Sequence, residues 1–143
     1  MLNKLTVGVA LGSTLFFTAC TDGDFLQTSK PNVSLTNTYW KAMIFYDRKV
    51  PVVTKEAHIK FDKDLRINGM LGCNNFFGSY IEENKNLSFS QIGSTRMMCQ
   101  NITTENTFSK VLQETKTYKI DGETLHFYDK NAKEISRFKA IYF

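Results

Sequence analysis

Gly72-Cys73-Asn74-Asn75-Phe76-Phe77-Gly78-Ser79-Tyr80 is the stretch on which the fold reading turns. Before it, Leu65 and Ile67 alternate with Arg66 and Asn68; after it, Gly78 to Glu82 read as strand again. The chain must therefore turn sharply between two strands. Gly72 and Gly78 permit the backbone angles of such a corner, and asparagine side chains satisfy local amides. A corner held together for structural reasons is one reading; a loop of backbone N–H groups that holds an anion is the other. A Walker loop is excluded, because the two glycines are one residue too far apart and no lysine follows the second.

Outward from this corner, most of the chain has period two. Ala57, Ile59 and Phe61 alternate with His58, Lys60 and Asp62, which predicts a hairpin with Leu65 to Asn68. Glu83-Asn84-Lys85-Asn86 separates Gly78–Glu82 from Leu87–Ile92 as a second turn. Tyr39 to Tyr46 makes a first strand, Tyr118 to Ile120 and Leu125 to Phe127 flank Asp121-Gly122, and Glu134 to about Tyr142 closes the chain. Asp-Gly suggests a type I′ turn, since glycine accepts positive φ without a clash. One segment departs from the alternation: Ile102, Phe108, Val111 and Leu112 recur at helical spacing, with Asn101 as a cap. The expectation is an α+β, mainly β fold: about eight antiparallel strands in meander order, curled into a small lipocalin-like barrel, with one helix sealing an end or an open seam.

The first residues belong to processing rather than to the fold. Met1-Leu2-Asn3-Lys4 precedes an apolar run from Leu5 to Phe17, and Phe17-Thr18-Ala19-Cys20 follows. The run is too short to span the roughly 30 Å of a bilayer's hydrocarbon as a helix. Residues 1–19 are read as a lipoprotein signal peptide resembling a lipobox, with Cys20 as the lipidated residue; plain secretory cleavage after Ala19 would leave the same N-terminus. Residues 20–36, rich in Thr, Ser, Asp and Asn, read as a tether, and residues 37–143 as one domain. Thr21, not Asp, follows the lipid cysteine, which suits the outer membrane; Asp22 and Asp24 leave periplasmic side or cell surface open. Loss of Lys4 with the leader lowers the net charge from +4 to +3. No run of five like charges remains, so no nucleic-acid partner is expected. The expected partners are the membrane, through the acyl anchor, and an envelope protein.

Export would place Cys73 and Cys99 in an oxidising compartment, where an isolated cysteine pair bridges. Two buried free thiols and a redox pair are the alternatives, the latter lacking a C-x-x-C at a helix start. Glu105 falls beside the apolar stripe of the helix, where an unpaired carboxylate is costly. It is expected to accept hydrogen bonds from the corner backbone or from Arg96; a general acid or base role is the sharper alternative. His58 and His126 lie on wet faces with no zinc spacing, and neither metal nor cofactor is expected. Twelve Phe, six Tyr and one Trp could fill a core or line a cavity. A core filled by Trp40, Phe61, Phe89, Phe108, Phe127 and Phe138 would favour a protein-binding role. An open apolar cavity above about 300 Å³ would favour a small ligand.

Trp40, the Gly72-Cys73-Asn74 corner, Gly78, Tyr80, the Thr95-Arg96-Met97-Met98-Cys99 run and Glu105 together resemble the META/HslJ-like family, over about Leu35 to Phe143. The resemblance implies a small α+β barrel in an exported or membrane-attached protein, often a bacterial lipoprotein, with links to heat response, antibiotic resistance, motility or virulence. It brings no catalytic residues. The expected function is that of a non-catalytic envelope lipoprotein in stress tolerance or protein interaction, and the alternative is a small-molecule or lipid-binding barrel. An aromatic pair at Phe76-Phe77 inside the corner is where this chain departs from the family pattern.

Overall fold

Alternation decides which way each strand faces. Ile59 and Phe61 are buried while Lys60 is exposed; Phe76, Gly78 and Tyr80 are buried while Phe77 is exposed. The computed structural model describes residues 31–52 and 55–143. The leader and Cys20 lie outside the described residues. The elements are β1 (Tyr39–Phe45), β2 (Arg48–Lys49), β3 (His58–Phe61), β4 (Arg66–Met70), β5 (Asn75–Glu83), β6 (Asn86–Ser94), α1 (Thr103–Glu114), β7 (Thr117–Asp121), β8 (Thr124–Tyr128) and β9 (Glu134–Ile141). Among the described residues no helix is long and apolar enough to cross a membrane.

The strands form one antiparallel sheet that closes on itself. Neighbours run β1-β3-β4-β5-β6-β7-β8-β9, and β9 returns to β1 from Tyr39↔Ile141 to Phe45↔Ser136. That ring contains the eight strands expected from the sequence, in meander order. The ninth, β2, is an appendage, paired only with the end of β1 at Ile44↔Lys49 and Phe45↔Arg48. Its turn, Tyr46-Asp47, has both residues at positive φ, 46° and 63°. This is the backbone of a type I′ turn, which normally announces itself by Asn-Gly or Asp-Gly. Without those residues β2 is not legible in the sequence.

Three local expectations change. The corner is shorter than Gly72 to Gly78, because β5 already begins at Asn75 and the turn itself occupies only Leu71 to Asn74. At Asp121-Gly122 the loop residues are Gly122-Glu123, bracketed by the Asp121↔Thr124 pair, and only Gly122 has positive φ. Glycine at the first loop position is the pattern of a type II′ turn, not type I′. Besides Tyr46-Asp47, a type I′ turn falls at Asn84-Lys85, with φ of 52° and 69°. The domain also starts before residue 37. Asn32 Oδ1 accepts the Gly122 N–H at 2.8 Å, Val33 donates to the Gly122 carbonyl at 3.0 Å, and Trp40 Nε1 donates to the Leu35 carbonyl at 2.9 Å. Polar neighbours hide Val33 and Leu35, which pack on the core.

The ring is weakest between β6 and β7, which share only the Asn86↔Thr117 pair. Helix α1 runs close to β6 and to β1 and buries Phe108, Val111 and Leu112. Phe108 reaches Phe45, Phe76 and Phe138, with ring centroids 4.9, 5.5 and 5.7 Å away. Deeper in, Phe127 meets Phe138 at 5.0 Å and Phe61 meets Tyr80 at 5.0 Å. Rings at these separations are in contact. The interior is filled by aromatic side chains, Trp40 among them with no exposed surface.

Replacing Phe108 by alanine should therefore lower unfolding free energy by about 3–5 kcal/mol. Phe77→Ala, on the outer face, should cost less than about 1 kcal/mol. Urea titrations of the two variants, followed by tryptophan fluorescence, compare these costs directly.

Candidate functional site

The corner residues singled out by the sequence come together around one side chain, Asn74, which is 3% exposed. Gly72 ahead of it has φ of +116°, and a Cβ there would press on Thr104 at 3.1 Å. Both the conformation and the approach of the helix require glycine. Cys73 and Cys99 form a disulfide with Cα atoms 6.5 Å apart. It joins the β4–β5 corner to the segment that leads into α1.

Asn74 uses its whole carboxamide. Oδ1 accepts the Met97 N–H at 2.7 Å and the Thr95 hydroxyl at 2.9 Å. Nδ2 donates to the Glu105 carboxylate, 3.2 Å from Oε1 and 3.1 Å from Oε2. The Asn74 backbone N–H also donates to Glu105 Oε2 at 3.1 Å. Thr95 Oγ1 in turn accepts the Asn75 N–H at 3.1 Å. Glu105 sits in the first turn of α1, where the unpaired N–H groups of a helix favour negative charge. Asn101 Oδ1 accepts the Thr103 N–H at 2.9 Å, so it satisfies one of those groups from just outside the helix.

Glu105 thus bonds to the corner, as one of the two expected alternatives had it. Arg96 does not share in this: it is exposed and makes no hydrogen bond or ion pair among the described residues. Trp40, Gly78 and Tyr80 lie away from the corner and build the ring. Tyr80 donates its hydroxyl to the Asp62 carbonyl at 2.9 Å, and a Cβ on Gly78 would meet Ile92 Cδ1 at 2.6 Å. Chemically the corner is a clasp. The oxygens of Glu105 are engaged by Asn74, and the sulfurs are bonded to each other.

Two other polar clusters decorate the outside of the ring. Glu56 is ion-paired with Lys41 and accepts the Tyr39 hydroxyl at 3.1 Å. Burial would raise its pKa, but Lys41 and Tyr39 more than offset this and hold it below the usual value. Tyr39 is pushed up to about 12 by burial and by Glu56. His58 stacks on Tyr39 with ring centroids 4.2 Å apart. Burial, with help from Lys60, holds His58 below its ordinary pKa despite the neighbouring Glu56. On the other side His126 Nδ1 lies 2.9 Å from Glu134, which Arg137 also engages at 2.6 Å. Among the described residues no three His, Cys, Asp or Glu side chains group as a metal site would.

A feature with room for a ligand among the described residues was not legible in the sequence. A groove of about 620 Å³ opens outside the ring, between the β1–β2 turn and the first turns of α1. Phe45, Tyr46 and Val50 face Thr104 and Thr107 across it. Its two walls are at least fifty positions apart in the chain. The only local sign is an aromatic strand end, Phe45-Tyr46, followed by the basic pair Arg48-Lys49.

Residues 33–141 match the family model described as META domain, and the chain belongs to that family. No curated protein matches it. Among solved structures, an NMR structure of a protein is 24% identical, covers 75% of this chain and 94% of its own, and superposes with a TM-score of 0.60. An NMR structure of a Burkholderia xenovorans protein is 22% identical, covering 76% of this chain and 85% of its own, also with a TM-score of 0.60. The crystal structure of a DUF4847 family protein from Bacteroides vulgatus ATCC 8482 is 14% identical, with 73% and 93% coverage and a TM-score of 0.57. At these identities the likeness concerns the fold.

Asn74→Ala should cost about 2–4 kcal/mol, because it strands buried donors and the Glu105 carboxylate at once. Cys73→Ser with Cys99→Ser should cost about 3–4 kcal/mol from the lost loop constraint. Guanidinium unfolding of both variants checks the two figures. His58 supplies a pH test. Its folded pKa lies below the unfolded value of about 6.5, so its contribution is present above that pH and lost as pH falls through it toward the folded value. The urea midpoint should decline between pH 7.5 and 5.5, and His58→Gln should flatten that slope.

Proposed function

We propose that this chain is a non-catalytic envelope lipoprotein, held in the outer membrane by acyl chains on Cys20, whose META domain serves envelope stress tolerance by contacting another envelope protein. The observation that carries the reading is the filled interior. Trp40, Phe61, Phe108, Phe127 and Phe138 have no exposed surface, and Phe89, the sixth residue expected there, packs against them half-buried, which supports a packed module over a carrier with an internal pocket. The saturated corner supports the same reading, since its residues hold the fold together. The anchor rests on the apolar run Leu5 to Phe17 and on Phe17-Thr18-Ala19-Cys20. Stable attachment takes more than one acyl chain, each buried methylene contributing about 0.8 kcal/mol.

A second reading, a small-molecule binder, is favoured by the external groove, whose volume falls in the range of ligand sites.

Mass spectrometry of the protein extracted from its own membranes should show an N-terminal acylated Cys20 and an intact Cys73–Cys99 bridge. Cys20→Ala should move the protein from the membrane pellet to the soluble fraction. A leader-bearing, non-acylated protein in the pellet would defeat the anchor. Proximity cross-linking under heat stress should recover one envelope protein, and an unchanged stress tolerance in a deletion strain would count against the role.

A further inference from the structure

The groove outside the ring carries more charge information than its size alone. One side is apolar, with Phe45 and Val50 from the β1–β2 region and Pro51 beside them. Arg48, Lys49 and Lys110 also line it, and no carboxylate among the described residues does. Arg48 and Lys49 are exposed and make no ion pair among the described residues. Lys110 is exposed, with its ammonium 5.1 Å over the Tyr46 ring and 3.7 Å from Glu114. Glu114 accepts the Tyr46 hydroxyl on its other oxygen at 2.6 Å and matches the charge of Lys110. Asp47 is exposed on the turn and does not line the groove. The lining therefore joins an apolar surface to two cations, Arg48 and Lys49, that have no ion-pair partner among the described residues.

Tyr46 gives an independent indication. It adopts φ of +46° in a two-residue turn where Asn or Gly would sit without strain. An aromatic residue there costs on the order of 1 kcal/mol. Its ring is nevertheless fixed from both ends, by Glu114 at the hydroxyl and Lys110 over the face, and forms a wall of the groove.

We propose that this groove binds a single-chain amphiphile with one anionic head, its apolar body lying against Phe45, Val50 and Pro51 and its head at Arg48 and Lys49. A volume of about 620 Å³ accommodates one such molecule. The cations select the sign of the head, and the apolar side supplies contact area. The inference rests on the groove alone, so it stands or falls separately from the anchor on Cys20.

The test uses the full-length chain with Cys20→Ala, so that no acyl group of its own competes, and follows backbone amide shifts by NMR. Decanoate, decyltrimethylammonium and acetate are titrated below micelle-forming concentrations. Decanoate should give saturable shifts at Lys49, Val50 and Thr107. The cation should bind at least about tenfold more weakly, and acetate should give no saturation. Arg48→Glu with Lys49→Glu should lower decanoate affinity at least about tenfold with shifts elsewhere unchanged, while Lys63→Glu, on the β3–β4 turn, should leave it intact. Equal binding of the cation, saturation by acetate, unchanged affinity of the double variant, shifts away from the groove or no binding at all would each overturn the proposal.

Discussion

The carboxamide of Asn74 is the interaction on which the other parts of this fold depend. It is buried where three segments meet: the corner after β4, the extended run at Thr95 to Met97, and the first turn of α1. Only an amide suits the position. Its oxygen takes two donors, its nitrogen serves a carboxylate, and an aspartate could offer no N–H to Glu105. The disulfide from Cys73 to Cys99 repeats the same connection covalently. Together they fix where α1 starts and so where Phe108 enters the core. Placement of the helix matters because β6 and β7 diverge after one pair, and backbone pairing alone does not hold that seam.

Much of the ring could be read from the chain because its strands are half-buried. Residues such as Ile59, Phe61, Leu125 and Phe127 alternate with polar neighbours, and alternation is a local signal. The helix was legible for the same reason, at its own period. What escaped was local structure made by atypical residues. Tyr46-Asp47 turns the chain as Asn-Gly would, so β2 was missed. Val33 and Leu35 sit among Ser, Thr and Asn, and a polar average conceals their attachment to the core. The corner reads longer in the sequence than it is because Gly78 looks like a turn residue. It is in fact a strand residue whose missing side chain lets Ile92 cross over it.

The candidate sites divide along the same line. The Asn74 clasp could be foreseen in part, since a carboxylate beside an apolar helical stripe needs donors and the corner supplies them. Arg96, equally close in sequence, turned out to face solvent. The external groove could not be foreseen, because it exists only where the end of β1 meets α1 in space. In the charges the adjacent pair Arg48-Lys49 is the one local sign, and a net surplus of +4 spread along the chain does not single it out.

Closure of the ring by β1 and β9 has a consequence for how this module can be used. Val33 and Ala140 donate to the adjacent Gly122 and Glu123 carbonyls, so the polypeptide enters and leaves the domain close together. Such a unit can be spliced into a surface loop of a host protein, or strung in tandem, without long connectors. New ends could be opened at Asn84-Lys85, an exposed two-residue reversal, with the old ones tied by a short bridge.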